Sequence, residues 1–398
     1  IWMDKLWARS WRRNPSEART DDHDFMTKSS PSYGMRKIKK KKILLGCLLV
    51  LLVTSLLLYV DVNQLKHDVV WFVRKTIWLR SLRPVKDYNF DTTKFPVLDA
   101  NRCPPHGKLM MVRSIGRLGN QMSEYASLWV LSREHHRYPV IEDDMKFFLL
   151  QFFTGLSIKS LSELHFLDHC DLEWRRFILE QATRKDELAT AAKDPNNTLD
   201  KVHIYLAGYP DTIPLYGNYL KEIQKEFTFH RKYIDEAESQ LSVLRAEYSS
   251  HVFIFVHVRR TDYINVLSTF HNGTDFIGTR YFQTAMNYYR GKYPRRLFLV
   301  FSDDMGWCRE NIPSVHSDVV FISQGDVQNP ANDMLLMMSC DHAILTHGTF
   351  GFWAALLGPH SRGGEVLLAG NFTPIPTALE ALVSVTPYLS KEWKVIPA

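Results

Sequence analysis

Two kinds of apolar pattern run along this chain. From Ile43 to Val60, eighteen consecutive residues carry no charge; as a helix that run rises about 27 Å, close to the hydrocarbon thickness of a bilayer. From residue 251 the apolar runs are short and regular. Strands are predicted at Val252–Val258, Leu297–Ser302, Val319–Ser323, His342–Leu345 and Val366–Leu368, alternating with helices near 280–292, 305–311, 331–340 and 350–357. Short, continuously apolar strands that alternate with helices imply a parallel sheet covered on both faces. Before residue 251 the pattern is less regular. It predicts a strand at Leu109–Ile115, a helix from about Met122 to Glu134, and a mainly helical stretch over 140–200 that includes the charged, amphipathic Leu172–Ala192. A strand at His203–Gly208 and a helix at Leu215–Phe227 follow.

Charge turns this pattern into a topology. Of the net +6, the first 42 residues hold twelve Lys/Arg against five Asp/Glu, so the rest sums to −1. The basic cluster Arg36–Lys42 directly precedes the apolar run, and such residues stay on the cytosolic side. The run is longer than a signal-peptide core and no small-x-small cleavage site follows it. An uncleaved, type II membrane anchor is expected, with 1–42 as a cytoplasmic tail (Met35 being a candidate start), 43–60 as the anchor, 61–107 as a lumenal stem and 108–398 as the body. The stem stretch Trp71–Trp78 is aromatic and basic, which suits either a helix lying against the membrane surface or a plain amphipathic stem helix. The fold expected is α/β, with two Rossmann-like lobes (about 108–250 and 251–398) after one transmembrane helix. With the basic signal confined to the first 42 residues, nothing in the body suggests a nucleic-acid groove.

Lumenal placement brings oxidation and glycosylation into view. Cys103, Cys170, Cys308 and Cys340 lie beyond the anchor and allow three pairings, none with zinc-site spacing. Asn196, Asn272 and Asn371 begin acceptor sequons, the third weakened by Pro374.

The chemistry gathers at strand ends. Val256-His257-Val258-Arg259-Arg260-Thr261-Asp262 takes an apolar strand into four polar residues, the place where an open α/β sheet holds its ligand. Alternation puts His257 and Arg259 on one face and Arg260 on the other, free to pair with Asp262. An always-charged, bidentate donor suits a diphosphate that gains charge as it leaves. The plain alternative is a solvated strand end with a salt bridge. Gly116-Arg117-Leu118-Gly119-Asn120 and Thr346-His347-Gly348-Thr349-Phe350-Gly351 each join a strand to a helix N-terminus, where backbone N–H groups can hold phosphate or merely cap a helix. Ser302-Asp303-Asp304 ends another strand on the same edge, within reach of a base or ribose. The one Asp-x-Asp, Asp22-His23-Asp24, lies in the tail, so no metal is expected in the body. His135 and His136 are adjacent, cannot share a helix face, and are expected at the surface.

Taken together, these motifs resemble the α-1,2-fucosyltransferase family. The likeness rests on Gly116–Met122 with Glu124-Tyr125-Ala126, Gly208-Tyr209-Pro210, His257–Tyr263, Trp307–Ile312 and Gly348–Ala355, in order across nearly the whole body. The resemblance implies a GT-B fold, a GDP-fucose donor, transfer to the 2-hydroxyl of galactose on glycan acceptors, inversion at fucose C1, no metal and no other cofactor, and a Golgi membrane location. It also implies that Arg259 and His257 contact the diphosphate, with Asp262 counted among the catalytic residues. Donor-binding residues would be Arg260, the turn Gly116, Arg117, Gly119 and Asn120, Ser302 and Asp303, and Thr346, Gly348, Thr349, Phe350 and Gly351. The general base stays open among Asp262, Glu124 and His347, with Asp262 more plausible as a structural partner. Thr261 stands where the family commonly has Gly, and Asp211-Thr-Ile-Pro departs from the mammalian form. The His-x-Arg-Arg pattern is shared with α-1,6- and protein O-fucosyltransferases, which are therefore alternatives, as is a non-catalytic glycan-binding protein.

Overall fold

The structure, a computed structural model, describes residues 62–82, 87–88, 90, 97–99, 101–105, 107–178, 202–207, 216–263, 277–314, 316–323, 330–370 and 391–397. The apolar run 43–60, the three sequons and 208–214 lie outside the described residues. Among the described residues no helix is long and apolar enough to cross a membrane. By its contacts the chain divides into residues 1–74 and 75–398.

The first described element is helix α1, Val62–Ser81. Two short strands follow, β1 (Asp87–Tyr88) and β2 (Leu98–Asp99), paired antiparallel. Tyr88 and Leu98, inside the stretch read as stem, are buried, and the Tyr88 hydroxyl donates to the Pro139 carbonyl at 2.7 Å.

A five-stranded parallel sheet is built from β3 (Leu109–Val112), β4 (Tyr138–Ile141), β5 (Lys159–Ser160), β6 (Trp174–Ile178) and β7 (His203–Ala207), in the order β5-β4-β3-β7-β6. Every residue of β3 and β4 is buried, as expected for a sheet covered on both faces. Helix α2, Leu118–Glu134, crosses from β3 to β4, and α3, Asp143–Leu149, follows β4. Over 140–178 the mainly helical reading needs correction, while 179–200, most of the helix read at Leu172–Ala192, lie outside the described residues. Trp174–Ile178 is a strand, with Phe177 opposite Leu206. It falls in the charged, amphipathic stretch read as a helix, but aromatic and β-branched residues pack well beside a neighbouring strand. Strands as short as β5 are too brief for alternation to reveal. The helix read at Leu215–Phe227 is a 3₁₀ turn, Gly217–Tyr219, running into α4, Leu220–Glu226. Helix α5, Arg231–Glu247, leads to the second sheet.

That sheet has six parallel strands: β8 (Val252–Val258), β9 (Arg296–Ser302), β10 (Val319–Phe321), β11 (His342–Leu345), β12 (Val366–Gly370) and β13 (Trp393–Pro397), in the order β10-β9-β8-β11-β12-β13. Its helices are α6 (Thr279–Lys292), α7 (Met305–Asn311), α8 (Pro330–Met338) and α9 (Thr349–Leu357). The strand order runs outward one way to β10, then resumes on the other side of β8 with β11. A crevice opens at the carboxyl ends of β8 and β11, where the order reverses. Alternate residues of β8 serve two cores. Ile254, Val256 and Val258 pack with Tyr281, Phe282 and Met286 of α6, while Phe253 and Phe255 join the core that reaches α2 and the first sheet.

Cysteine usage is half as expected. Cys103 and Cys170 are bonded, whereas Cys308 and Cys340 are buried thiols. The two thiols belong to core clusters on opposite faces of the six-stranded sheet and cannot meet.

Candidate active site

The two sheets present their carboxyl edges to one cleft of about 640 Å³, a size ordinary for a small-molecule site. From the first sheet come Gly116–Asn120 and, beyond α3, Gln151 and Phe152; from the second come His257, Arg259, Asp262, Ser302, Asp303 and Gly348–Phe350.

Local chemistry shapes both turns. Gly116 sits at φ +79°, and a β-carbon there would lie 2.3 Å from the Asn120 side-chain nitrogen, so only glycine fits. The Gln121 side chain donates to the Gly116 carbonyl at 3.2 Å, and the Glu124 carboxyl accepts from the Ile115 N–H at 3.1 Å. Two α2 side chains therefore fix the turn from below. Burial pushes the Glu124 carboxyl up to about 9, an effect that the Ile115 N–H only partly offsets. Its Oε1 is buried with no hydrogen-bond partner among the described residues. Across the cleft, the Thr349 hydroxyl donates to Asn120 Oδ1 at 2.5 Å. One turn along, Trp353 Nε1 donates to Ser123 Oγ at 2.9 Å. The N-termini of α2 and α9 are thus bound together.

At the end of β8, His257 and Arg259 face the cleft. His257 is buried, and Gly351 lies so close beneath it that a β-carbon would be 2.6 Å from Nδ1. Burial, helped by the Arg259 charge, lowers the His257 imidazole to about 4, so it is neutral near pH 7. The Arg259 guanidinium is gripped twice, by Asp262 at 2.6 Å and by Asp303 at 3.1 Å, with its side chain 19% exposed. Asp303 also accepts from the Thr261 hydroxyl at 2.6 Å and the Arg260 N–H at 2.9 Å. Burial raises the Asp303 carboxyl, but the Thr261 hydrogen bond and the Arg259 charge outweigh it and hold the group below the usual range.

Asp262 departs from the sequence reading. It pairs with Arg259, and at 3.4 Å with Arg117 of the opposite turn. Arg260 does lie on the other face of the strand end, where its guanidinium sits 4.0 Å over Trp307 and reaches Asp304 at 3.5 Å. The chain turns back after β8, with Tyr263 N–H bonding the Arg260 carbonyl, and that reversal brings Asp262 to Arg259. Arg260 is absent from the cleft lining. So are Thr346 and Gly351: the buried Thr346 hydroxyl accepts from the Arg259 N–H at 3.2 Å and ties β11 to β8. His347 is buried against Tyr263, with ring centroids 3.9 Å apart. His135 caps the end of α2, and His136 takes a positive φ of 52° beyond it.

Sequence reasoning missed Phe148, Gln151, Phe152, Tyr263, Pro330 and Asp333 in the lining. Asp333 accepts from Ser323 Oγ at 2.6 Å, and that hydroxyl in turn accepts from the Ser302 N–H at 3.3 Å. The available signal was positional, since Asp333 lies in the first turn of the helix that follows β10. Among the described residues no group of three His, Cys, Asp or Glu side chains could hold a metal ion.

A family model described as glycosyl transferase family 11 matches residues 87–373. Galactoside 2-alpha-L-fucosyltransferase SEC1 of Bos taurus is 34% identical over 270 residues, 68% of each chain. Galactoside alpha-(1,2)-fucosyltransferase 2 of the same species is 34% identical over 289 residues, covering 72% of this chain and 78% of that protein. Among solved structures, Arabidopsis thaliana FUT1 in complex with GDP has a TM-score of 0.45 at 15% identity, covering 68% of this chain and 73% of that one. By the extent of the family match and the identity to these relatives, the chain belongs to glycosyl transferase family 11 and is an α-1,2-fucosyltransferase.

Proposed function

We propose that this protein transfers L-fucose from GDP-fucose to the 2-hydroxyl of a galactose residue on glycans, with inversion at fucose C1. The two sheets then form the lobes of a GT-B enzyme, with the cleft between them holding donor and acceptor. A cytoplasmic tail (1–42), a type II anchor (43–60) and a stem place the catalytic body in the Golgi lumen.

The observation that carries this reading is the position of Arg259. Its guanidinium stands at the topological switch point of the six-stranded sheet, facing the Gly116–Asn120 turn across the cleft. In the displacement, the galactose oxygen attacks C1 from the side opposite GDP, the C1–O bond to the diphosphate breaks with its electron pair leaving on GDP, and the hydroxyl proton passes to water. Negative charge grows on the leaving diphosphate, and a fixed planar donor there stabilises the transition state more than the ground state. Asp262 and Asp303 hold that donor in place. With two arginines on it, Asp262 serves as a clamp rather than a proton acceptor. Neutral His257 offers a hydrogen bond without adding charge. Asp333, in the cleft lining, suits the N–H groups of the guanine edge.

Radiolabelled GDP-fucose offered with a terminal β-galactoside, an agalacto-glycan and a peptide tests the assignment. Incorporation into the galactoside alone, removable by an α-1,2-fucosidase, is expected, and it should persist in EDTA. Incorporation into the agalacto-glycan or the peptide would move the enzyme to the α-1,6 or protein O-linked class. Glycan binding with no transfer would make it a non-catalytic lectin-like protein.

A further inference from the structure

Helix α1 carries an apolar stripe that the catalytic reading leaves unexplained. Val69, Val70, Phe72, Val73 and Ile77 are 53, 48, 66, 49 and 62% exposed. At 3.6 residues per turn, Lys66, Val69, Val70, Val73, Ile77 and Arg80 share one face. That face is an apolar band with a cation at each end. On the opposite face, Trp78 packs its ring 5.6 Å from Phe147 and Lys75 pairs with Asp144. Singly exposed apolar residues are ordinary, but a contiguous band marks a surface that meets something.

We propose that this band lies on the phospholipid bilayer that holds the anchor. Chain position selects the occupant, and the proposal rests on the reading of 43–60 as a membrane span. That run ends at Val60 and α1 begins at Val62, so a single residue separates the helix from the end of the span and it starts at the bilayer interface. Its composition fits an interfacial helix, with apolar side chains entering the acyl boundary and long cationic side chains reaching back to the phosphates. The stem is then a float on the membrane rather than a stalk. The catalytic body is held close to the bilayer, where glycans on membrane-embedded acceptors are presented.

The test uses the full chain with Cys47→Ser, reconstituted into phosphatidylcholine vesicles. A nitroxide is attached in turn at Val69→Cys, Val73→Cys and Ile77→Cys, and at Ser239→Cys on exposed α5 as a control. Oxygen, which concentrates in lipid, and a water-soluble nickel chelate serve as relaxers. The expected result is lipid exposure at all three α1 sites and aqueous exposure at position 239, with the protein retained on vesicles through a carbonate wash. Aqueous exposure at the α1 sites with carbonate retention overturns the proposal and leaves the anchor standing. Close dipolar coupling between labels on two molecules, without lipid contact, overturns it in favour of a second copy. Release by carbonate removes the anchor reading and the proposal together.

Discussion

Gly119 of α2 packs against the backbone of Phe350 of α9, so closely that a β-carbon on it would lie 2.6 Å from the Phe350 nitrogen. Both residues line the cleft. Glycine at this position therefore sets the spacing between the two helix N-termini.

Gly119→Ala should force those N-termini apart, because the obstacle is backbone and cannot rotate away. Overpacking of this kind costs roughly 1–3 kcal/mol, and displacement of cleft residues by a fraction of an ångström should lower kcat/KM by roughly ten- to a hundredfold. Gly291→Ala is the control. Nothing lies within 4 Å of its added carbon, and as a helical residue it should be neutral or stabilising by about 0.5–1 kcal/mol. Urea unfolding and steady-state kinetics on the two variants check the contrast; equal behaviour would remove the packing argument.

Arg259→Lys keeps the charge but loses the fork that reaches Asp262 and Asp303 together. Single-turnover transfer should fall roughly a hundred- to a thousandfold, the effect of losing one transition-state donor. Arg260→Lys loses its stacking on Trp307 and should cost mainly stability, about 0.5–1 kcal/mol. Near-normal turnover in Arg259→Lys beside inactive Arg260→Lys would invert the assignment.

That pair shows how far the sequence could be read. Period-two alternation holds inside β8 because both faces are packed, and it placed His257 and Arg259 on the cleft side with Arg260 opposite. It still holds for Arg259 and Arg260, just past the end of the strand, and fails by Asp262. Asp262 lies in a turn, where direction is set by the Tyr263–Arg260 backbone bond and not by the pleat, so its partner was not legible. Asp333 and Gln151 come from separate elements with no motif between them, and only the folded topology brings them to one cleft. Five strands of the six-stranded sheet were readable because they are short, largely apolar runs, whereas β13 was not predicted: it carries Lys394 and ends in Pro397, and only its first residue is buried. The first sheet was less so, since β5 has two residues and β6 carries two arginines.

The Cys103–Cys170 bond closes a separation of 67 residues and joins the segment after β2 to the turn that precedes β6. Its loss should destabilise the protein by about 2–4 kcal/mol. Reduction should lower the Tm of the wild type, whereas a Cys103→Ser/Cys170→Ser double variant should start lower and not respond to reductant. Mass mapping of unreduced peptides should find this bridge, with Cys308 and Cys340 open to alkylation only after unfolding. A Cys308–Cys340 peptide would contradict the core arrangement.

Glu124 separates a structural carboxyl from a catalytic one. It is fully buried, holds the Ile115 N–H beneath the cleft turn, and is raised to about 9 by burial. At pH 7 it is therefore protonated. Its folded pKa lies above its unfolded value of 4.5, so the stabilising contribution is complete below pH 4.5 and is lost as pH rises through about 9. Glu124→Gln keeps a neutral acceptor for Ile115 but cannot ionise. Relative to the variant, the wild type should lose stability progressively from pH 4.5 to about 9, after which the difference stops growing. Activity of Glu124→Gln at pH 7 should stay within about threefold of wild type, because the neutral hydrogen bond survives. Glu124→Ala, which leaves the Ile115 N–H unanswered in a buried site, should be impaired in both respects. Urea titrations across pH 5–10 and transfer assays at pH 7 decide the matter. A general base must be ionised when it works, and removing one costs roughly a hundred- to ten-thousandfold. A loss of that size in a folded Glu124→Gln variant, with no change in the pH dependence of stability, would make Glu124 the base and not the support of the turn.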